Sequence, residues 1–116
     1  MGSRRVLVAD DSAVARLSIT SRVRESGLEI VESDSAASAR AVDAVTLSCA
    51  LLDFDLGDGD GADLASHLRR RAAELPIAFF TSTNAEGDRA RASLFGPVFA
   101  KPDELDAAVE WVRRNA

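Results

Sequence analysis

Five polar side chains of this 116-residue chain follow short apolar runs. Asp10 and Asp11 come after the run VLVA and Asp53 after the run CALL, while Thr81 and Lys101 follow the later runs IAFF and VFA. Carboxylates that come together repel one another unless a cation joins them, and Mg²⁺ is a hard cation that prefers oxygen ligands. A lysine and a hydroxyl beside such an ion could bind a phosphoryl group. One carboxylate oxygen could then act as the nucleophile of a phosphoryl transfer.

The apolar runs alternate with helical segments along the chain. The pattern predicts strands over residues 4–9, 28–32, 48–52, 77–81 and 98–100. It predicts helices over residues 13–26, 35–46, 61–74 and 85–95 and from 104 to the end, with Ser12 and Asp103 as N-caps and Gly27 after the first helix. Three alternating glycines make residues 56–61 a loop. This alternation favours an α/β fold, one domain over residues 1–116 with a parallel sheet covered by helices on both faces.

The carboxyl ends of parallel strands meet at one edge of the sheet, where open α/β sheets bind their ligands. Asp10, Asp11, Asp53, Thr81 and Lys101 are therefore expected to converge in one crevice. Three carboxylates within about 5 Å would repel by roughly 3 kcal/mol per pair at an effective dielectric near 20. A divalent cation would relieve that repulsion, so a Mg²⁺ site is expected beside the lysine.

Composition excludes several classes of protein and partner. The net charge of −5 disfavours direct binding to nucleic acid, because phosphate contacts need a basic surface. No apolar run is long enough to span a bilayer and the N-terminus lacks a signal-peptide core, so a cytoplasmic protein without membrane contact is expected. Cys49 lies within an apolar run and is expected to be a buried hydrophobe, and His67 is expected to be a surface residue.

The acidic and basic motifs resemble those of a known family in residue type and in spacing. Over nearly the whole chain they are similar to the receiver (phosphoacceptor) domain of bacterial two-component response regulators, at Asp10-Asp11, Asp53, Thr81-Ser82 and Lys101-Pro102. The resemblance implies a flavodoxin-like (βα)5 fold with strand order 2-1-3-4-5. It also implies a cis Lys101–Pro102 peptide bond, a form that only proline makes energetically accessible.

The same resemblance implies a role for each site residue. Asp53 would be the residue that is phosphorylated, Thr81 would hydrogen-bond the phosphoryl oxygens and Lys101 would pair with them. Mg²⁺ would be held by the side chains of Asp10, Asp11 and Asp53 and by the main-chain carbonyl of Asp55. Any enzymatic activity would be limited to self-phosphorylation and autodephosphorylation.

The family's phosphodonor is a sensor histidine kinase or a histidine phosphotransfer protein, and the resemblance implies such a partner here. One receiver unit fills the sequence, so a single-domain regulator is expected, acting by contact with an unknown downstream protein, unless the sequence is a fragment. Homodimerisation stays open. Val14 and Leu17 fall outside the apolar face of the first helix, and we hypothesise that they dock onto a kinase's helical hairpin. The alternative is that they are scattered surface hydrophobes.

One position departs from the family pattern. The family usually has an aromatic residue three positions before the lysine, and its inward rotation reports phosphorylation. Here that position is Val98, while Phe99 follows on the opposite face of the strand and the chain has no tyrosine. We therefore hypothesise a switch that acts through Thr81 and the helix over residues 85–95 without ring rotation.

Two other functions fit part of the sequence. Leu52-Asp53-Phe54-Asp55 resembles the Asp-x-Asp nucleophile motif of haloacid-dehalogenase-type phosphatases, but that motif belongs on the first strand, with its second acid group downstream. The other is a non-phosphorylated pseudo-receiver used for dimerisation, which the complete acid set argues against. The acidic loop over residues 53–61 does not fit an EF-hand, because Asp58 stands where the required glycine belongs. It is interpreted as a solvated loop.

Overall fold

The computed structural model describes residues 4–116. Its strands are β1 (Arg5–Ala9), β2 (Glu29–Ser33), β3 (Cys49–Leu52), β4 (Ile77–Thr81) and β5 (Val98–Ala100). They form one parallel sheet in the order β2-β1-β3-β4-β5, which confirms the predicted fold and strand order. Ala9 at the end of β1 lies beside Leu52 at the end of β3. The next residues along the chain, Asp10 and Asp53, therefore leave the sheet side by side.

Helices cover both faces of the sheet. They are α1 (Ala13–Arg24), α2 (Ala36–Arg40), α3 (Gly61–Arg71), α4 (Glu86–Ser93) and α5 (Leu105–Asn115). One apolar cluster joins the sheet to α2, α3 and α4, and a second joins the opposite face to α1 and α5. Within residues 4–116, no helix has both the length and the apolar composition that a bilayer crossing needs.

Alternate strand residues divide between the two clusters. Leu7 and Leu52 belong to the cluster under α2, α3 and α4, whereas Val8 and Leu51 belong to the cluster under α1 and α5. Because both faces are covered, β3 and β4 are buried at every position, and all of their residues except Thr81 are apolar. This packing fixes the strand ends, and with them the polar residues that follow.

The second predicted helix is shorter than expected. Instead of a helix over residues 35–46, the chain forms α2 and then a separate 3-10 turn, Ala44–Thr46. The carboxylate of Asp43 accepts a hydrogen bond from the Val45 main-chain N–H at 3.2 Å. An aspartate that bonds its own backbone locally competes with the continuing helix, which explains the break.

Helix ends also differ from the prediction in places. Ser12 caps α1 as expected, because its hydroxyl accepts the Ala15 N–H at 3.2 Å, and Gly27 follows with φ of +77°. The prediction of Asp103 as the last cap is wrong: the residue before α5 is Glu104. The Glu104 carboxylate reaches back to accept the Ala100 N–H at 2.7 Å, which shifts the helix start by one residue.

Candidate functional site

The polar residues predicted from the sequence lie at one edge of the sheet. Asp10 and Asp53 directly follow β1 and β3, Thr81 ends β4 and Lys101 directly follows β5. The main chain of the three residues that follow a strand continues the hydrogen-bond pattern of the sheet. Each donates its N–H to a main-chain carbonyl of the neighbouring strand: Asp10 to Ser33 (3.0 Å), Asp53 to Ala9 (2.8 Å) and Lys101 to Thr81 (2.9 Å). The side chains are therefore aligned by the sheet itself. The predicted cis Lys101–Pro102 bond is confirmed.

An open cleft of about 1120 Å³ lies over this edge. Asp11, Asp53, Thr81 and Lys101 line it, and Asp10 is buried next to them. The cleft also has apolar walls, made by Val14, Ala15, Phe80 and Leu105. The cleft could therefore admit from solvent a small anionic group that is carried by a larger molecule.

Lys101 joins two of the carboxylates. Its Nζ lies 2.6 Å from Asp10 Oδ2 and 3.0 Å from Asp53 Oδ2. All three side chains are largely buried, so the carboxylates have lost most of their hydration and the ammonium replaces part of it. Removing one partner from such a set leaves a buried charge without compensation.

Asp11 completes a group of three acids. One carboxylate oxygen from each of Asp10, Asp11 and Asp53 lies within 4.8 Å of the other two. With all three ionised, the single ammonium of Lys101 leaves a formal charge of −2 at the group. An oxygen-only set with this residual charge has room for one divalent cation of the hard class.

The electrostatics of the group are visible in two pKa values. Burial raises the pKa of Asp53, and the charge of Asp10 raises it further, while Lys101 opposes both effects without cancelling them. Burial by itself would lower the pKa of Lys101, but the hydrogen bond to Asp10 and the charge of Asp53 outweigh it, so that pKa is raised. The carboxylates therefore favour the charged form of Lys101, whereas Lys101 only partly offsets the cost of ionising Asp53.

Thr81 and Asp55 lie at the border of the group. Thr81 is buried, and its Oγ1 accepts the Thr83 N–H at 3.4 Å while the side chain lines the cleft. Asp55 lines the cleft too, but its exposed carboxylate accepts the Gly57 N–H at 3.0 Å and stands outside the group of three acids. The Asp55 carboxylate therefore contributes no oxygen to that group.

The acidic loop over residues 53–61 was predicted to be solvated, but two of its carboxylates bind helices. Asp58 accepts the Ala36 and Ala37 N–H groups at 2.7 and 3.0 Å, and these bonds hold its pKa below the usual range. Asp60 caps α3 through the Asp63 N–H at 2.8 Å and also pairs with Arg91 of α4 at 3.1 Å. Each carboxylate thus ties the loop to a helix. Only the α3 cap had a local sequence signal, an aspartate directly before a helical pattern.

The remaining predicted residues lie outside the acid group. His67 is partly exposed, which agrees with the predicted surface position, and its Nε2 lies 3.3 Å from the Arg40 carbonyl oxygen. Cys49 is buried as predicted, and burial raises its pKa to about 12. Val98 and Phe99 pack on opposite faces of the sheet, as expected for neighbours in a strand.

Two apolar side chains of α1 are exposed beside the cleft. Val14 is 80% exposed and Leu17 is 62% exposed, which agrees with their placement off the buried face. Val14 also lines the cleft.

Comparison with family models decides the family. The model of the response regulator receiver domain matches residues 6–112. The chain belongs to this family. No curated protein sequence matches it.

Solved receiver domains share the fold at low sequence identity. The non-phosphorylated HemR receiver domain from Leptospira biflexa is 21% identical, with a TM-score of 0.82 over 96% of this chain and 94% of that one. The signal receiver domain of the putative response regulator NarL from Mycobacterium tuberculosis is 25% identical, with a TM-score of 0.76 over 97% and 94%. The response regulator domain of Thermotoga maritima CheB is 18% identical, with a TM-score of 0.80 over 97% and 96%.

As a receiver domain, the chain is a phosphorylatable signalling module of a two-component system. Such a domain interacts with a phosphodonor kinase and with downstream partners. The phosphatase alternative loses its basis, because Asp53 follows the third strand and the acid pair lies upstream of it, on the first.

Proposed function

We propose that Asp53 is the phosphoacceptor of this receiver domain, and that residues 1–116 act as one receiver unit. The observation that supports this most is the Lys101 ammonium, held between the Asp10 and Asp53 carboxylates at 2.6 and 3.0 Å. Of these two carboxylates, only Asp53 belongs to a residue that lines the cleft, where a phosphodonor can reach it.

The donor set fits Mg²⁺. Three carboxylate oxygens lie within 4.8 Å of one another, all donors are oxygen, and the residual charge is negative. The side chains of Asp10, Asp11 and Asp53 and the main-chain carbonyl of Asp55 would hold the ion. When bound, Mg²⁺ supplies positive charge that neutralises the carboxylates and the phosphoryl oxygens.

The protein's own residues then have separate tasks. A carboxylate oxygen of Asp53 attacks phosphorus, an O–P bond forms, and the bond to the leaving group breaks with its electron pair departing on that group. Lys101 favours the ionised form of Asp53 before the transfer and pairs with the phosphoryl oxygens after it. The Thr81 hydroxyl, at the end of β4, donates a hydrogen bond to one of those oxygens.

The phosphodonor that fits this cleft is a phosphohistidine protein, a sensor histidine kinase or a histidine phosphotransfer protein. Supporting this, α1 exposes two apolar side chains, Val14, which lines the cleft, and Leu17, about one turn further along the helix. A helical hairpin that carries the phosphohistidine could lie on α1 and reach Asp53. A small donor such as acetyl phosphate needs no such contact.

The output of the domain would pass through α4 without rotation of an aromatic ring. This helix is weakly anchored: it has eight residues, contains Gly87, lacks a side-chain cap and buries only Ala92. Thr83, two residues after Thr81, is bonded to Asp88 of α4 at 3.0 Å. A displacement of Thr81 toward a phosphoryl group would therefore be passed to the start of this helix, where a downstream protein can detect it.

Phosphorylation by acetyl phosphate tests the proposal. With Mg²⁺ present, intact mass spectrometry should show one added phosphoryl group on the wild type and none on Asp53→Asn. The matched control is Asp55→Asn, which removes an acid two residues away but keeps its main-chain carbonyl, and it should be phosphorylated like the wild type. Equal phosphorylation of Asp53→Asn would refute the assignment. Sustained hydrolysis of p-nitrophenyl phosphate by the wild type would favour the phosphatase alternative.

A further inference from the structure

All four polar groups of Asp10, two in the main chain and two in the carboxylate, have a hydrogen-bond or ion-pair partner. Its N–H bonds to the Ser33 carbonyl, and its Oδ1 accepts the Ser12 N–H at 2.9 Å. Its Oδ2 forms an ion pair with Lys101 Nζ at 2.6 Å, and its main-chain carbonyl accepts a hydrogen bond from Arg16 Nη1 at 2.7 Å. Three of these partners follow from the sheet, from the turn into α1 or from the acid group. The fourth, Arg16, is a side chain to which the receiver chemistry assigns no role.

Arg16 is anchored on both sides. Its side chain is only 18% exposed, and its Nε lies 3.4 Å from Glu32 Oε1 at the end of β2. Glu32 also pairs with Arg24 of α1, whose Nη2 lies 2.9 Å from Oε2. The guanidinium therefore links β2 to the first residue after β1. Because Arg16 and Arg24 share the single charge of Glu32, removal of either arginine changes the local charge equally, and only Arg16 also contacts Asp10.

We propose that Arg16 is a positioning residue for the metal-binding acid group, an inference that rests on the proposed function. Beyond β1 the chain turns into α1, so the Asp10 carbonyl has left the strand ladder and needs another donor. Arg16 provides a charge-assisted one. By fixing the main chain of Asp10, it fixes the direction in which the Asp10 carboxylate leaves the strand end. That direction sets the distance from this carboxylate to those of Asp11 and Asp53.

Binding of Mg²⁺ without any phosphodonor tests this inference. Residues that hold a metal ligand in place typically change metal affinity by 10–100-fold when mutated, so Arg16→Gln should raise the Mg²⁺ dissociation constant about tenfold. Arg24→Gln is the matched control, because it removes the same charge from the same helix and the same Glu32 partner but does not touch Asp10. It should leave the constant close to that of the wild type. Calorimetry, or the amide signals of Asp11 and Asp53, would report both.

Kinetics separate positioning from a general loss of structure. With acetyl phosphate, Arg16→Gln should need more Mg²⁺ for half-maximal phosphorylation but reach nearly the wild-type rate at saturating Mg²⁺. Arg16→Lys keeps one donor for the Asp10 carbonyl, so the Mg²⁺ concentration that it needs should lie between those of the wild type and Arg16→Gln. Equal Mg²⁺ affinities for Arg16→Gln and Arg24→Gln would overturn the inference. If Arg16→Gln does not fold, an unchanged affinity in Arg16→Lys overturns it.

These results stay distinct from a failure of the proposed function. If the wild type itself binds no Mg²⁺, or if Asp53→Asn is still phosphorylated, the assignment of the acid group is wrong. If the wild type binds Mg²⁺ and Asp53 is the acceptor, the comparison of Arg16→Gln with Arg24→Gln decides the role of Arg16 alone.

Discussion

Replacement of Lys101 by methionine should destabilise the domain in a pH-dependent way. The ammonium lies 2.6 and 3.0 Å from two carboxylates, and each contact corresponds to about 6 kcal/mol of attraction at an effective dielectric near 20. Desolvation of the three groups offsets most of it, and breaking buried pairs of this kind costs about 3–5 kcal/mol. We expect Lys101→Met to lower the unfolding free energy at pH 7 without Mg²⁺ by about 3 kcal/mol. The ammonium also lies 5.8 Å from the centre of the Phe80 ring, and methionine loses this cation–π contact as well.

The pH dependence follows from the two pKa shifts. Folding raises the pKa of Asp53, so its ionised form destabilises the fold, and this effect sets in as the pH rises through the carboxylate range. Removing Lys101 raises that pKa further, so the difference between variant and wild type should grow from about pH 4 to about pH 7. Folding also raises the pKa of Lys101. The stability that Lys101 contributes is therefore present below about pH 10.4 and lost as the pH rises through its folded value.

Urea unfolding of both proteins at several pH values, without divalent cations, would measure this difference. A second series with Mg²⁺ should recover much of the loss, because the ion replaces the missing positive charge and stabilises the folded form that binds it. A destabilisation of equal size at pH 4 and pH 7 would contradict the argument. It would mean that Lys101 acts through packing and not through the two carboxylates.

Three further predictions concern α1 and α4. Val14→Asp combined with Leu17→Asp should slow phosphotransfer from the cognate kinase but spare phosphorylation by acetyl phosphate; equal loss of both would refute the docking surface. Beryllofluoride with Mg²⁺ should shift the amide signals of residues 85–95, and unchanged signals there would remove the proposed switch. Thr20 Oγ1 is buried without a hydrogen-bond partner among residues 4–116, so Thr20→Val should raise the unfolding free energy by about 1 kcal/mol. Thr20→Ser keeps the hydroxyl and should not raise the unfolding free energy. A loss of stability in Thr20→Val would show that the hydroxyl has a hydrogen-bond partner.

The sequence was sufficient to predict the sheet and the residues at its edge. Short apolar runs that alternate with helical segments are typical of a parallel sheet covered on both faces, and such a sheet brings its carboxyl ends together. Asp10 and Asp53 each directly follow a run of four apolar residues, and Lys101 follows the three-residue run Val98–Ala100. Their proximity therefore follows from the fold class alone, before any side-chain geometry is known.

Contacts made by charged side chains over long sequence distances could not be predicted in this way. Asp58 binds the start of α2, which lies 22 residues earlier in the chain, and Arg91 reaches Asp60 over 31 residues. Arg16 reaches Asp10 within one segment, but that contact depends on how α1 packs against the sheet. None of the three has a periodic pattern. The split of the second helix is different, since the local bond of Asp43 could have been anticipated from its residue type.

Locating the phosphoryl group on the chain tests the central claim most directly. An aspartyl phosphate is an acyl phosphate, so borohydride reduction after treatment with acetyl phosphate and Mg²⁺ marks the acceptor permanently for peptide sequencing by mass spectrometry. We predict that the mark is found at Asp53 in the wild type and that omission of Mg²⁺ abolishes it. A mark at Asp10, Asp11 or Asp55, or phosphorylation that proceeds equally without the ion, would contradict the account.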